Sequence, residues 1–253
     1  MKTLKFFMVL SIWIFGYSSF IAGQQPTPKE IVKKAYDLMQ GQTNESTMSM
    51  TIVRPTWQRT IAFKSWAKGN DYSLAIVTDP AKERGQTFLK RKNEIWNWVP
   101  SIQKMIKLPP SMMSQGWMGS DFSNDDLLKE SSIVEDYEHS LLGTDKLEGQ
   151  ECYKIKLTPK PNAPVVWGSI IKWISKADYF QLRSEYYDED GILIKTESAS
   201  IIRQMGDRRI PTHIEIIPKD KPGNKTLVDI QKAIFNKPIE DSFFSQQNMK
   251  NVR

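Results

Sequence analysis

The chain has 253 residues, a formal net charge of +6 and one cysteine, Cys152. A single cysteine excludes an internal disulfide framework, so stability must come from a packed core. Beyond the N-terminus, no segment is apolar enough to cross a membrane.

The N-terminus carries its own signal. Lys2 and Lys5 precede an apolar run from Phe6 to Phe15, and small residues follow at Gly16, Ser18, Ser19, Ala22 and Gly23. A positive start, an apolar middle and a small-residue end are the parts of a cleavable secretory signal. The run is shorter than the roughly 20 apolar residues of a spanning helix. Residues 1–23 are therefore read as a signal peptide, with cleavage near Ala22 to Gln24. Residues 24–253 are read as one exported domain that works outside the cytoplasm. No cysteine stands at the cleavage site, so the mature protein is not expected to be lipid-anchored. Without Lys2 and Lys5 the net charge falls to +4. That balance suits anionic head groups or an acidic partner, or simply a solvated surface, and export argues against nucleic acid.

Thr27-Pro28-Lys29-Glu30 is a capping box with proline at the first helical position. Ile31, Val32, Ala35, Leu38 and Met39 recur at helical spacing and Gly41 suits a C-terminal cap, which predicts a helix from Pro28 to Gln40. The period then changes to two. Met48, Met50 and Ile52 alternate with polar neighbours, as do Ile61 and Phe63, and Tyr72, Leu74 and Ile76. Phe88 to Lys92 and Glu94 to Val99 flank a turn and predict a hairpin. From Leu108 to Ser123 two prolines and two glycines interrupt any strand or long helix. Ser123 opens a short helix with Asp125 and Asp126 in its first turn. Strands resume around Cys152 to Leu157, Ser169 to Ser175, Leu182 to Tyr187, Ile192 to Ile202, Arg208 to Ile217 and Lys225 to Phe235. A short closing helix holds Phe243 and Phe244. The sum is a mainly β, α+β domain: a curved antiparallel sheet or incomplete β-barrel of about 11 strands, with helices over its concave face.

Catalytic signals are missing from this pattern. His139 and His213 have no metal-ligand spacing, and there is neither a G-x-S-x-G elbow nor a phosphate-cradling glycine loop. Asp125-Asp126 fits a helix start and Asp188-Glu189-Asp190 fits a hairpin turn. Cys152 reads as a small buried hydrophobe and His213 as structural. The expectation is no enzyme, no cofactor and no metal. The soft apolar stretch from Trp96 to Phe122 stands out instead, with Trp96, Trp98, Met105, Met112, Met113, Trp117 and Met118 partly in a loop. Such residues either pack as core or form a lid over an apolar pocket.

The run Ile95-Trp96-Asn97-Trp98-Val99-Pro100, followed by Met118-Gly119-Ser120-Asp121-Phe122-Ser123-Asn124-Asp125-Asp126-Leu127, resembles the outer membrane lipoprotein-sorting protein family. Specifically, it is similar to the divergent, uncharacterised branch of the LolA-like group. Asp79-Pro80 with Arg84-Gly85, and Phe235-Asn236 with Phe243-Phe244, fit as well. The resemblance implies a LolA/LolB-like incomplete barrel with helices over its open side and a hydrophobic cavity for acyl chains. It further implies an inner-membrane transporter as donor and an outer-membrane acceptor. Arg54 and Arg59 are the candidates for a lid-closing arginine.

The leading reading is a monomeric periplasmic carrier of lipid or acylated lipoprotein. The residues expected to line its cavity are Met48, Met50, Ile61, Phe63, Leu74, Ile76, Trp96, Trp98, Met112, Met113, Trp117 and Met118. One alternative is an accessory subunit of an RND-type or ABC-type envelope transporter, which needs no open cavity. Another is an envelope lipid hydrolase, which needs a catalytic set inside it.

Overall fold

The capping box forms as the sequence requires. In a computed structural model describing residues 25–129 and 133–253, Thr27 Oγ1 accepts from the Glu30 amide at 3.3 Å, and the Glu30 carboxylate accepts from the Thr27 amide at 2.7 Å. This caps helix α1 (Pro28–Gln40), which buries Ile31, Val32 and Ala35. The signal-peptide reading of residues 1–23 lies outside the described residues.

Among the described residues, thirteen antiparallel strands follow in one sheet. They are β1 (Thr43–Arg54), β2 (Trp57–Lys68), β3 (Tyr72–Asp79), β4 (Thr87–Arg91), β5 (Glu94–Val99), β6 (Lys104–Lys107), β7 (Tyr137–Leu147), β8 (Gln150–Pro159), β9 (Ser169–Ser175), β10 (Gln181–Tyr187), β11 (Leu193–Met205), β12 (Arg208–Pro218) and β13 (Lys225–Phe235). Their order is β6-β5-β4-β3-β2-β1-β13-β12-β11-β10-β9-β8-β7. Every neighbouring pair thus joins strands consecutive in sequence, except at the seam where β1 pairs with β13. The sheet curves but stays open, with β6 and β7 as its edges.

The strand count exceeds the expected 11, and β6 and β7 are the strands missing from the sequence reading. Only Tyr137 is buried in β7, and no residue is fully buried in β6. An edge strand with little to bury shows no alternation to read.

Register assigns every strand residue to a face. Met48 stands opposite Phe63 on β2 and Ile230 on β13, while Val228 stands opposite both Met50 and Ile214. The same face continues through Tyr186 and Ile170 to Leu157. Helix α1 lies on this inner face, where Ile31, Val32 and Ala35 pack against Tyr137, Ile155, Leu157, Ile170 and Ile174. The outer face of β2–β5 carries Trp66, Leu74, Ile76 and Leu89, packed with Phe244, Met249 and Val252 of the C-terminal segment. That segment contains a turn at Asp241–Phe243 and helix α3 (Gln246–Asn251). Thr87 Oγ1 fixes it further by donating to the Met249 carbonyl at 3.0 Å in a buried site.

Candidate functional site

Between α1, the inner face and the connector from β6 to β7 lies a cavity of two lobes, of about 270 Å³ and about 320 Å³. Both are bordered by Tyr36, Met39, Met48, Phe63, Trp117 and Val228, so they adjoin one another. The first lobe extends toward the starts of β7, β9 and β11, at Tyr137, Ile170 and Lys195. The second extends toward the opposite ends of the strands, at Ala67, Gly69 and Phe235. There Tyr36 of α1 donates to Asn70 Oδ1 at 2.8 Å. Small side chains keep the second lobe open, since Ser65, Ala67, Ser73 and Ala75 occupy inner-face positions of β2 and β3.

The connector forms the roof. Trp117 stacks on Phe63 at 5.1 Å between ring centroids and meets Phe88 edge-on at 5.2 Å. Gly116 and Ser123 pair as a β-bridge that brings the two ends of this tight loop together. A Cβ on Gly116 would lie 2.4 Å from the Ser120 carbonyl oxygen, so the loop admits only glycine there. Asp121 then ties the loop to the sheet. It accepts from Arg54 at 3.1 Å and from Thr226 Oγ1 at 2.6 Å, and its amide donates to Thr226 Oγ1 at 3.0 Å. Arg54 also donates to the Gly119 carbonyl at 2.7 Å. The Arg54–Asp121 pair is nearly buried, with side-chain exposures of 13% and 6%. Of the two candidate arginines, Arg54 holds the connector, whereas Arg59 pairs with Glu83.

Helix α2 (Asn124–Lys129) follows in the connector. Ser123 Oγ accepts from the Asp126 amide at 3.0 Å, and Asp126 accepts from the Ser123 amide at 2.8 Å, a reciprocal cap. The same carboxylate reaches the sheet. Its Oδ2 accepts from Lys195 at 2.6 Å and its Oδ1 from Trp167 Nε1 at 3.0 Å. Lys195 is ringed by Trp167 at 4.8 Å, Tyr186 at 4.9 Å and Phe122 at 5.9 Å. Beside it, Tyr186 donates to Glu197 at 3.2 Å, Gln181 donates to Glu197 at 3.0 Å, and Lys172 donates to Gln181 at 2.5 Å and Ser184 at 3.3 Å. Desolvation raises the Tyr186 phenol well above its ordinary value, with Glu197 and Asp126 adding to the effect. Desolvation likewise lifts Tyr137, to about 12. The first lobe is therefore an apolar space with one charged, hydrogen-bonded wall.

The residues expected from the sequence divide between the two faces. Met48, Met50, Phe63 and Trp117 stand in the cavity wall. Ile61 is fully buried beside Met50 and Phe63, and Met118 packs against the same cluster. Leu74 borders the second lobe but packs with Phe244, and Ile76 lies in that outer cluster too. Trp96 and Trp98 also pack on the outer face, near Met249, with Lys107 over one ring and Lys250 over the other. Met112 and Met113 serve through their backbones, because their carbonyls accept from the Asn124 side chain and the Asp125 amide at 2.9 Å. The alternation within β3 and β5 is real, but it cannot say which face is inner, and the β2–β3 pairing shifts register at Ala62/Phe63.

Several wall residues escaped the sequence reading. Ile214 and Val228 fall within the strands expected over Arg208 to Ile217 and Lys225 to Phe235, Met39 belongs to the α1 stripe and Tyr36 lies beside it. Lys172 and Lys195 gave no signal, because a lysine in a strand ordinarily marks a wet face. The other singled-out groups lie elsewhere. His139 bonds the Ile133 carbonyl at 2.8 Å, His213 pairs with Asp229 at 2.7 Å, and Cys152 is fully buried, its thiol pushed up by desolvation. Asp188 caps its own hairpin turn by accepting from the Ile192 amide at 2.8 Å. Among the described residues no group of three or more His, Cys, Asp or Glu could hold a metal ion, and no helix is long and apolar enough to cross a membrane.

A family model described as "Uncharacterized protein" matches residues 69–251. No curated protein matches the sequence. Solved structures share the architecture. A DUF1329 family protein from Desulfovibrio piger superposes with a TM-score of 0.79 at 22% identity, over 88% of this chain and 97% of its own. A domain described as that of an outer membrane lipoprotein-sorting protein, from Vibrio parahaemolyticus, gives 0.76 at 22% identity, over 88% and 98%. A LolA superfamily protein from Nitrosomonas europaea gives 0.74 at 22% identity, over 88% and 99%. At this identity the likeness is one of fold.

Proposed function

This chain belongs to a family of uncharacterized proteins that is LolA-like in fold, and from that premise we propose that it carries lipid or the acyl chains of lipoproteins through the periplasm. The observation that carries the reading is the two-lobed cavity itself. A space left between a curved sheet and its covering helix, walled by Met48, Phe63, Ala75, Ile214 and Val228, suits a flexible apolar chain. The second lobe, at about 320 Å³, reaches the size at which small-ligand pockets start, roughly 300 Å³, and the first, at about 270 Å³, falls just short of it. Each methylene buried contributes about 0.8 kcal/mol, so one acyl chain supplies ample affinity without any catalytic group. Methionine and aromatic walls adapt to chains of different length.

Loading and release require the roof to move. The connector offers the natural moving part; it meets the sheet through the packing of Trp117, Met118 and Phe122, the Arg54–Asp121–Thr226 cluster and the Asp126–Lys195 pair. An inner-membrane transporter would then act as donor and an outer-membrane component as acceptor, with the protein as a monomeric shuttle. Mass spectrometry of extracts from protein purified out of its native envelope tests the proposal. Co-purified lipid or acylated peptide is the expected result. Delipidated protein that binds no acyl-chain probe would overturn it.

A further inference from the structure

The strands that floor the first lobe contribute three charged side chains to it: Lys172, Lys195 and Glu197. The floor is thus one positive charge in excess. Both lysines are buried, at 2% and 6% exposure. The roof contributes two carboxylates to the lobe, Asp125 and Asp126 of α2, and Asp126 is the one that reaches down to Lys195. Its two oxygens take two donors from the sheet side, Lys195 Nζ at 2.6 Å and Trp167 Nε1 at 3.0 Å. Asp126 thereby shows which chemistry this floor accepts: an oxyanion with two acceptors a carboxylate's width apart.

We infer that the first lobe receives the anionic head of an amphiphile, a carboxylate or a phosphate, whose chain lies in the second lobe. This rests on the carrier reading above and names its ligand class. The head takes Lys195 and Trp167 from Asp126, with Lys172 as the second cation of the same wall. The second lobe suits the chain, since Lys90 is its one charged wall residue among those described. Because the displaced carboxylate belongs to the roof, the anion that loads the cavity also loosens one of the contacts that close it. A buried lysine left without its carboxylate is costly, so entry of a neutral head cannot make the same exchange.

The test is competition against a dansyl-labelled fatty acid on delipidated protein, with hexadecanol, palmitate and hexadecyl phosphate as competitors. Palmitate, hexadecyl phosphate or both should bind about tenfold tighter than hexadecanol, or more, and the tighter of the two names the head group. Lys172→Met and Lys195→Met should each shrink the anion-to-alcohol ratio. Asp126→Asn should enlarge it, by removing the internal competitor. If Lys195→Met does not fold, Lys172→Met and Asp126→Asn decide. Equal binding of all three competitors overturns the head-group assignment alone, as does a ratio that Lys172→Met leaves intact or that Asp126→Asn lowers. Failure of all three to bind overturns the carrier reading with it.

Discussion

The two halves of the sheet cover opposite faces. Strands β7–β9 turn their inner face to α1, and Ile155, Leu157, Ile170 and Ile174 fill that interface. Strands β2–β5 turn their outer face to the C-terminal segment, where Trp66, Leu74 and Leu89 meet Phe244 and Met249. On the inner face of β2–β4, Ile61, Phe63 and Val77 pack under Trp117, and Ser65, Ala75 and Phe88 border the second lobe. A curved sheet needs one face buried to be stable. By burying the outside of one half, this fold stabilises those strands without spending the space inside them. The cavity is therefore a consequence of where the C-terminal segment packs.

Substitutions on either face can break that separation. Phe244→Ala removes a fully buried ring from the outer cluster and should cost about 3–5 kcal/mol in denaturant unfolding. Acyl affinity of the protein that remains folded should stay within about twofold, as expected for distant sites. A collapse of affinity in folded protein would show that the faces are not independent. Arg54→Met leaves the nearly buried Asp121 without its cation and should cost about 3 kcal/mol, the lower range for a broken buried pair. The loss should be local, so hydrogen exchange should quicken in residues 116–123 while the pairing of β1 with β13 stays protected.

Ala75→Phe places a ring in the second lobe. It should change stability by less than about 1 kcal/mol, below the cost of overpacking a filled core. Acyl affinity should fall roughly tenfold, the equivalent of about two buried methylenes. A large loss of stability instead would mean that the lobe is ordinary core. The smallest effect concerns Tyr137, where the cavity wall meets the α1 interface. Its phenol is raised to about 12 by desolvation, above an unfolded value near 10. The folded state thus holds its proton more tightly. That contribution is complete below pH 10 and is lost as pH rises toward 12. Tyr186 and Tyr187 are also raised, so spectrophotometric titration of Tyr137→Phe should lose one late phenol relative to wild type, and alkaline unfolding should shift accordingly.

The sequence displayed what depends on local periodicity. The bounds of α1 could be read from Thr27, Glu30 and Gly41, and most strands from alternation at residues such as Met48, Ile155 and Ile170. The edges β6 and β7 could not, because they bury almost nothing. The cavity was legible in kind but only partly in its residues. Trp96 and Trp98 carry the apolar mass that suggested a pocket, yet their strand presents them outward. The choice of face is made by β-sheet register and by a C-terminal segment far along the chain, and neither is a local property. Lys195 escaped because its meaning lies in Asp126, which reaches it from a different element.

The seam between β1 and β13 sets an order of events. Every other neighbouring pair joins strands that follow one another in sequence, whereas Asn44 at the start of β1 meets Phe235 at the end of β13. Contacts between distant parts of a chain carry the largest loop-closure cost and form slowly. Each half can zip along its own hairpins, but the two join only when the last strand arrives. Met48 and Val228 stand on opposite sides of that seam, and both face the cavity. A chain cut short before β13 would keep most of its strands and still lack the Val228 wall, so the cavity exists only in the completed fold.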